Sequence, residues 1–152
     1  MGSGSLFNAT AIGYDAIVTS SNTIQLGNGN IQFVNSNGTF LAAAYQTPSD
    51  IRLKKDIAPL KSGVSTIMQL NPVHYNKKRS LESNDYSITE NGFIAQEIQK
   101  VLPTLVQEGT DKDKLLSVNY VSIIPILTKA IQEQQAQIDE LKKMVEFLLQ
   151  KK

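Results

Sequence analysis

The stretch IPILTKAIQEQQAQIDELKKMVEFLL, residues 124–149, decides the reading of this chain. Ile124, Leu127, Ile131, Gln134, Ile138, Leu141, Val145 and Leu148 follow one another at alternating steps of three and four. With Ile124, Ile131, Ile138 and Val145 at heptad position a, Leu127, Gln134, Leu141 and Leu148 fall at d. Seven of these eight seam positions are aliphatic, the pattern of a coiled coil rather than of a helix laid on one core. A helix from about Tyr120 to Gln150 would run roughly 45 Å at 1.5 Å per residue. No domain of this size covers that length by itself. An antiparallel hairpin within one chain would need a second long helix, and the sequence has none. Gln134 is a polar layer that weakens the seam and fixes its register. Pro125 removes a hydrogen bond early in the helix and is expected to kink its first turns. Branched residues at a with Leu at d favour two strands.

Upstream of the coil, residues 50–118 read as a small α+β unit. Val64, Ile67 and Met68 lie at helical spacing within Ser62 to Leu70, and Asn71-Pro72 stops that helix. Val73 to Arg79 reads as an exposed strand with a charged end, and Leu81 to Asn91 as a loop or hairpin. Ile94, Ile98, Val101 and Leu102 share a helical face that Pro103 ends. Leu105-Val106 and Leu115 to Val118 are candidate strands of one hairpin around the polar loop Gly109 to Lys114. His74 is expected to be structural or at the surface. Gln96 and Glu97 are expected to serve at a helix start, and Lys77-Lys78-Arg79 to be a solvated strand end.

The first 49 residues are different in kind. They hold one acid, Asp15, no Lys or Arg, and six of the nine glycines. All 15 basic residues and the other 13 acids follow, so a boundary is expected near Pro48-Ser49-Asp50. Ala11 to Tyr14, Ile24 to Gly27, Ile31 to Val34 and Thr39 to Leu41 read as short strands divided by Gly and Asn turns. So few large apolar groups make a poor core for one chain. The alternative is a polar linker. Met1 to Ser5 reads as an added leader rather than a signal peptide, with a longer natural protein expected. The domains are thus 1–5 leader, 6–49 β-rich segment, 50–118 α+β unit and 119–152 coiled-coil helix.

Composition narrows the chemistry. A net charge near +1 gives no reason to expect nucleic acid or an anionic membrane as partner. No apolar run reaches the length that spans a bilayer. Without Cys, disulfides, thiolate metal sites and a Cys nucleophile are excluded, and one His excludes a His-rich metal cluster. No cofactor and no metal are expected. The cheapest nucleophile–base pair left is Ser with Lys. Ser49 and Lys54 stand five residues apart at the boundary, where Arg52 and Lys55 are neighbouring cations that would favour a neutral amine. Spacing alone is weak evidence in a chain with 13 lysines, and by itself it favours a solvated basic linker.

Four stretches, in order, carry a resemblance. They are Ser49-Asp50-Ile51-Arg52-Leu53-Lys54-Lys55-Asp56-Ile57 and Leu70-Asn71-Pro72-Val73-His74-Tyr75. Then come Gly92-Phe93-Ile94-Ala95-Gln96-Glu97 with Val101-Leu102-Pro103, and Ser117-Val118-Asn119-Tyr120 running on to Ala130-Ile131-Gln132-Glu133. Together they resemble the C-terminal intramolecular chaperone domains of phage tailspikes and tail fibres, the endosialidase-type auto-processing domain also found in the myelin regulatory factor. Asn8 to Ala16 and Asn22 to Asn28 resemble the head repeats of trimeric autotransporter adhesins, which implies a β-roll or an interwoven β-prism of three chains.

The first resemblance implies a parallel homotrimer whose folding client is the upstream fibre segment of its own chain. It also implies self-cleavage at Ser49-Asp50, with Ser49 as nucleophile and Lys54 as general base. A tail fibre or tailspike precursor made in the bacterial host cytoplasm follows from it. The other reading is a non-cleaving trimerisation module of a bacterial surface adhesin.

Overall fold

The computed structural model describes residues 5–36 and 38–151. The expected leader, Ser5 apart, lies outside them. The chain divides into two compact units, Met1–Pro48 and Ser49–Lys152, and its class is α+β.

In the first unit, strand β1 (Ala9–Ile12) pairs in parallel with β2 (Thr23–Leu26), from Ala9 opposite Thr23 to Ile12 opposite Leu26. Partners are 14 residues apart, and the residues around them repeat with the same period. Asn8 and Asn22, both in the left-handed region (φ 50° and 58°), precede the strands, and the Asn8 side-chain amide donates to Asn22 Oδ1 at 3.0 Å. Gly13 and Gly27 end the strands at φ 113° and 69°, where a Cβ would be strained. This is one turn of a parallel coil closed within a single chain, the geometry of a roll. The strands expected at Ile31 to Val34 and Thr39 to Leu41 do not form among the described residues. Strands need a neighbour to take their backbone bonds, and here the chain supplies only local turns such as Ile31 N to Asn28 O at 3.2 Å.

The second unit opens with a 3-10 turn, Ile51–Leu53, and helix α1 (Val64–Ile67). Strands β3 (Val73–Lys77) and β4 (Ile88–Gly92) form an antiparallel hairpin. Helix α2 (Ala95–Val101) and a 3-10 turn at Pro103–Leu105 lead into the hairpin β5 (Val106–Glu108) and β6 (Leu116–Val118). A last 3-10 turn, Val121–Ile123, runs into helix α3 (Ile124–Leu149). Ile98, Leu105, Ile123 and Ile126 form the core, with Ile67, Leu70, Phe93, Leu102, Val106 and Val118 packed around them.

Several details differ from the sequence reading. Helix α1 is one turn rather than Ser62 to Leu70. It lies against α3 so closely that a Cβ on Gly63 would reach within 2.6 Å of Ala130 Cα. The carboxylate of Glu133, on α3, accepts from the backbone N–H of Gly63 (3.0 Å) and Val64 (2.9 Å). A helix from elsewhere in the chain thus caps this one. Within Leu81 to Asn91, the hairpin alternative holds: residues from Ile88 onward are its second strand. Pro125 stands in the first turn of α3, where its missing N–H has no helical partner to lose. It begins the helix instead of bending it.

Helix α3 has two apolar faces. Ile126 and Ala130, together with Ile123 just before the helix, are buried on their own unit. The seven aliphatic a and d residues lie beside this buried stripe and remain 42–64 % exposed. From Gln134 to Leu149 every residue is exposed. At 1.5 Å per residue, α3 is about 39 Å long.

Candidate functional site

Ser49 and Lys54 meet. The Lys54 ammonium nitrogen lies 2.7 Å from Ser49 Oγ, and both residues are at the surface. The cause is local. Five residues of extended chain would separate their Cα atoms by about 16 Å. Instead the chain turns: Leu53 N donates to Asp50 O at 3.1 Å and Lys54 N to Ile51 O at 3.0 Å. Asp50 is the N-cap, with Oδ1 accepting from Arg52 N at 2.9 Å. The Arg52 guanidinium also grips the Asp50 carboxylate with both prongs, Nε to Oδ1 at 2.9 Å and Nη2 to Oδ2 at 2.7 Å. Arg52's side-chain and backbone donors hold the Asp50 carboxyl below its usual range, and Asp50 in turn raises the Arg52 pKa. A serine hydroxyl beside a lysine amine can serve as nucleophile and base if the amine is neutral.

The other singled-out residues have structural partners. His74 Nδ1 is 2.8 Å from Asn91 Oδ1, directly across the β3–β4 hairpin. Glu97, in the first turn of α2, accepts from Asn71 at 3.3 Å. Lys77 pairs with Glu90 at 2.8 Å, and Lys78 donates to Leu81 O and lies over the Tyr86 ring. Lys77 and Lys78 are thus tied down rather than simply solvated. Sequence reasoning passed over the Asp50–Arg52 fork, although an acid at an N-cap with Arg two residues on was there to be read. It also passed over Tyr120, which stacks on Phe93 and whose hydroxyl accepts from Phe93 N at 3.1 Å. An open apolar groove of about 460 Å³ runs between Met68, Leu70, Phe93 and Tyr120 and reaches seam residue Leu127. Among the described residues, no three His, Asp or Glu side chains are grouped to hold a metal ion.

Comparison with known proteins bears on the second unit as a sequence. Residues 49–107 match a peptidase family described as chaperone of endosialidase. The chain is similar to the long tail fibre protein Gp37 of Escherichia phage AR1, at 38 % identity over 105 residues, covering 68 % of this chain and 9 % of the relative. It is 35 % identical to that of Enterobacteria phage K3 over 61 % of this chain and 8 % of the relative. For Salmonella phage S16 the identity is 34 %, over 66 % of this chain and 15 % of the relative. The chain therefore spans only a small part of the length of these fibre proteins. From the serine of the Ser49–Lys54 pair onward, residues 49–107 carry a chaperone-of-endosialidase domain.

Proposed function

We propose that this chain is the self-releasing chaperone end of a tail fibre. Three copies zip through the a and d residues of α3, align the β-rich segments ahead of them, and then cut themselves free. The observation that carries the reading is the 2.7 Å contact of Lys54 with Ser49, the first residue of the second compact unit. The exposed aliphatic seam and the fibre relatives support it.

The physical logic runs from folding rates. β-rich fibres rely on non-local and inter-chain contacts, so they nucleate slowly and aggregate on the way. A coiled coil forms from local contacts. Once formed, it holds three client segments at high effective concentration and in register. Cutting removes its contribution to equilibrium stability, and the fibre then persists by its unfolding barrier. The client is the upstream segment of the same chain, and the product is a virion fibre assembled in the bacterial host cytoplasm.

In the cut, neutral Lys54 takes the Ser49 Oγ proton as Oγ bonds to the scissile carbonyl carbon, which for Ser49–Asp50 is Ser49's own, so that the ester formed is a four-membered lactone. The C–N bond breaks, and the leaving amine receives that proton. Water then splits the ester into a carboxylate and the regenerated hydroxyl. No cofactor is needed. Burial is what favours a neutral lysine, and in the single chain Lys54 is exposed. Assembly supplies the cover, so the cut reports a completed trimer.

The bond assigned on resemblance is Ser49–Asp50. Attack on the Pro48 carbonyl, through a five-membered ring, would break Pro48–Ser49 instead. On a denaturing gel, purified protein should give pieces of 49 and 103 residues. Ser49→Ala and Lys54→Met should each leave one full-length band, and mass spectrometry should find the larger piece beginning at Asp50. Full-length protein that stays intact as a trimer would refute the cutting.

A further inference from the structure

We propose that Asp50 and Arg52 are positioning residues for this self-cleavage. Asp50 closes the turn that folds Lys54 back onto Ser49, and Arg52 occupies the Asp50 carboxylate so that it does not take the lysine instead. The proposal rests on the Ser49–Lys54 reading.

The turn has little else to hold it. It is a single 3-10 turn, a form that is weak on its own, and it contains no buried residue. Ile51 and Leu53 are each 72 % exposed. Apart from the Lys54–Ser49 contact itself, its side-chain bonds among the described residues are those of Asp50: the cap to Arg52 N and the two-pronged fork from the Arg52 guanidinium. Without the cap the segment is free to extend, and an extended segment carries the amine far from the hydroxyl.

The fork has a second role, which follows from charge. Asp50 lies between Ser49 and Lys54 in sequence, and a free carboxylate there would compete with Ser49 for the ammonium. It would also favour the charged form of the lysine, the opposite of what a base requires. Both Asp50 oxygens are instead engaged by Arg52, and planar guanidinium matches a carboxylate better than an ammonium does. Lys54 is left to the hydroxyl. Two features of the sequence motif, an acid after the serine and an arginine two residues later, thereby acquire distinct tasks.

The test compares self-cleavage rates of the full chain on a denaturing gel, with light scattering and thermal melting as controls for assembly and folding. None of the Asp50 or Arg52 bonds reaches the core, so the controls should not change. Asp50→Ala should slow cleavage about tenfold or more, as expected when a reacting pair loses its alignment. Asp50→Asn keeps a capping oxygen and should stay within about threefold of wild type.

Arg52→Gln releases the carboxylate and should also slow cleavage about tenfold or more, whereas Asp50→Asn with Arg52→Gln should recover to about the Asp50→Asn rate, a non-additive cycle. Equal rates for Asp50→Ala and Asp50→Asn would overturn the capping role. A wild-type rate in Arg52→Gln, or a loss that Asp50→Asn does not relieve, would overturn the charge-holding role. The parent and Ser49→Ala in parallel separate these outcomes from failure of the underlying reading, because that reading falls if the parent stays intact or if Ser49→Ala still cuts.

Discussion

Substituting Gly63 with alanine tests the packing of the second unit most sharply. Its new Cβ would lie 2.5 Å from the Lys129 carbonyl carbon and 2.6 Å from Ala130 Cα. Carbon atoms in contact settle at about 3.5–4.0 Å, so α1 and α3 must part by about 1 Å. Both obstacles are backbone, and neither can swing aside as a side chain would. Two effects compete. Alanine restricts the unfolded chain, a gain of about 0.4–1 kcal/mol. Overpacking against a rigid neighbour costs about 1–3 kcal/mol, and the backbone contacts put this site at the upper end. The clash wins by about 2 kcal/mol, a fall in Tm of about 8–16 °C for a unit of this size. Thermal melting followed by circular dichroism, in a Ser49→Ala background that keeps the chain whole, reads it directly. A variant that melts at or above the parent temperature would refute the close approach of the two helices.

Two more outcomes follow from α3. Ile131→Asp with Ile138→Asp places charges in the seam while leaving the buried face of Ile123, Ile126 and Ala130 intact. Light scattering should give the mass of one 16.7 kDa chain and the gel no cut, whereas full-rate cutting by a monomer would break the link between assembly and cleavage. Glu133 is held below its usual carboxylate range, first by the Val64 and then by the Gly63 backbone N–H. A depressed folded pKa means stability that is present above the ordinary value near 4.5 and is lost as pH falls through the folded value. The Tm of the parent should therefore drop more steeply than that of Glu133→Gln on acidification below about pH 4.5, and parallel pH profiles would contradict the cap.

What was legible in the sequence was what repeats or alternates within reach of itself. The heptads of α3, the α2 face ending at Pro103 and the β5–β6 hairpin are all short-range patterns, and the structure has them. So is the Ser49–Lys54 spacing, which the structure turns into a contact. Strand β4 hid because Ile88-Thr89-Glu90-Asn91-Gly92 is polar. Its partners across the hairpin, Glu90 opposite Tyr75 and Asn91 opposite His74, make it a strand. The cap on α1 comes from a residue about 70 positions away, and no local pattern announces such a bond. The apolar pieces after Gly29 have the composition of strands but no strand neighbour among the described residues.

The outer half of α3, Gln134 to Leu149, touches no other part of its own chain's core. Sixteen residues of lone helix are marginal in water. On the proposed assembly this arm is a gauge of company: its order should depend on how many sister chains are near, and it should loosen on dilution. If the proposed function holds, fibre alignment waits on local abundance of the newly made polypeptide, so that the crowd itself sets the moment at which a fibre can begin.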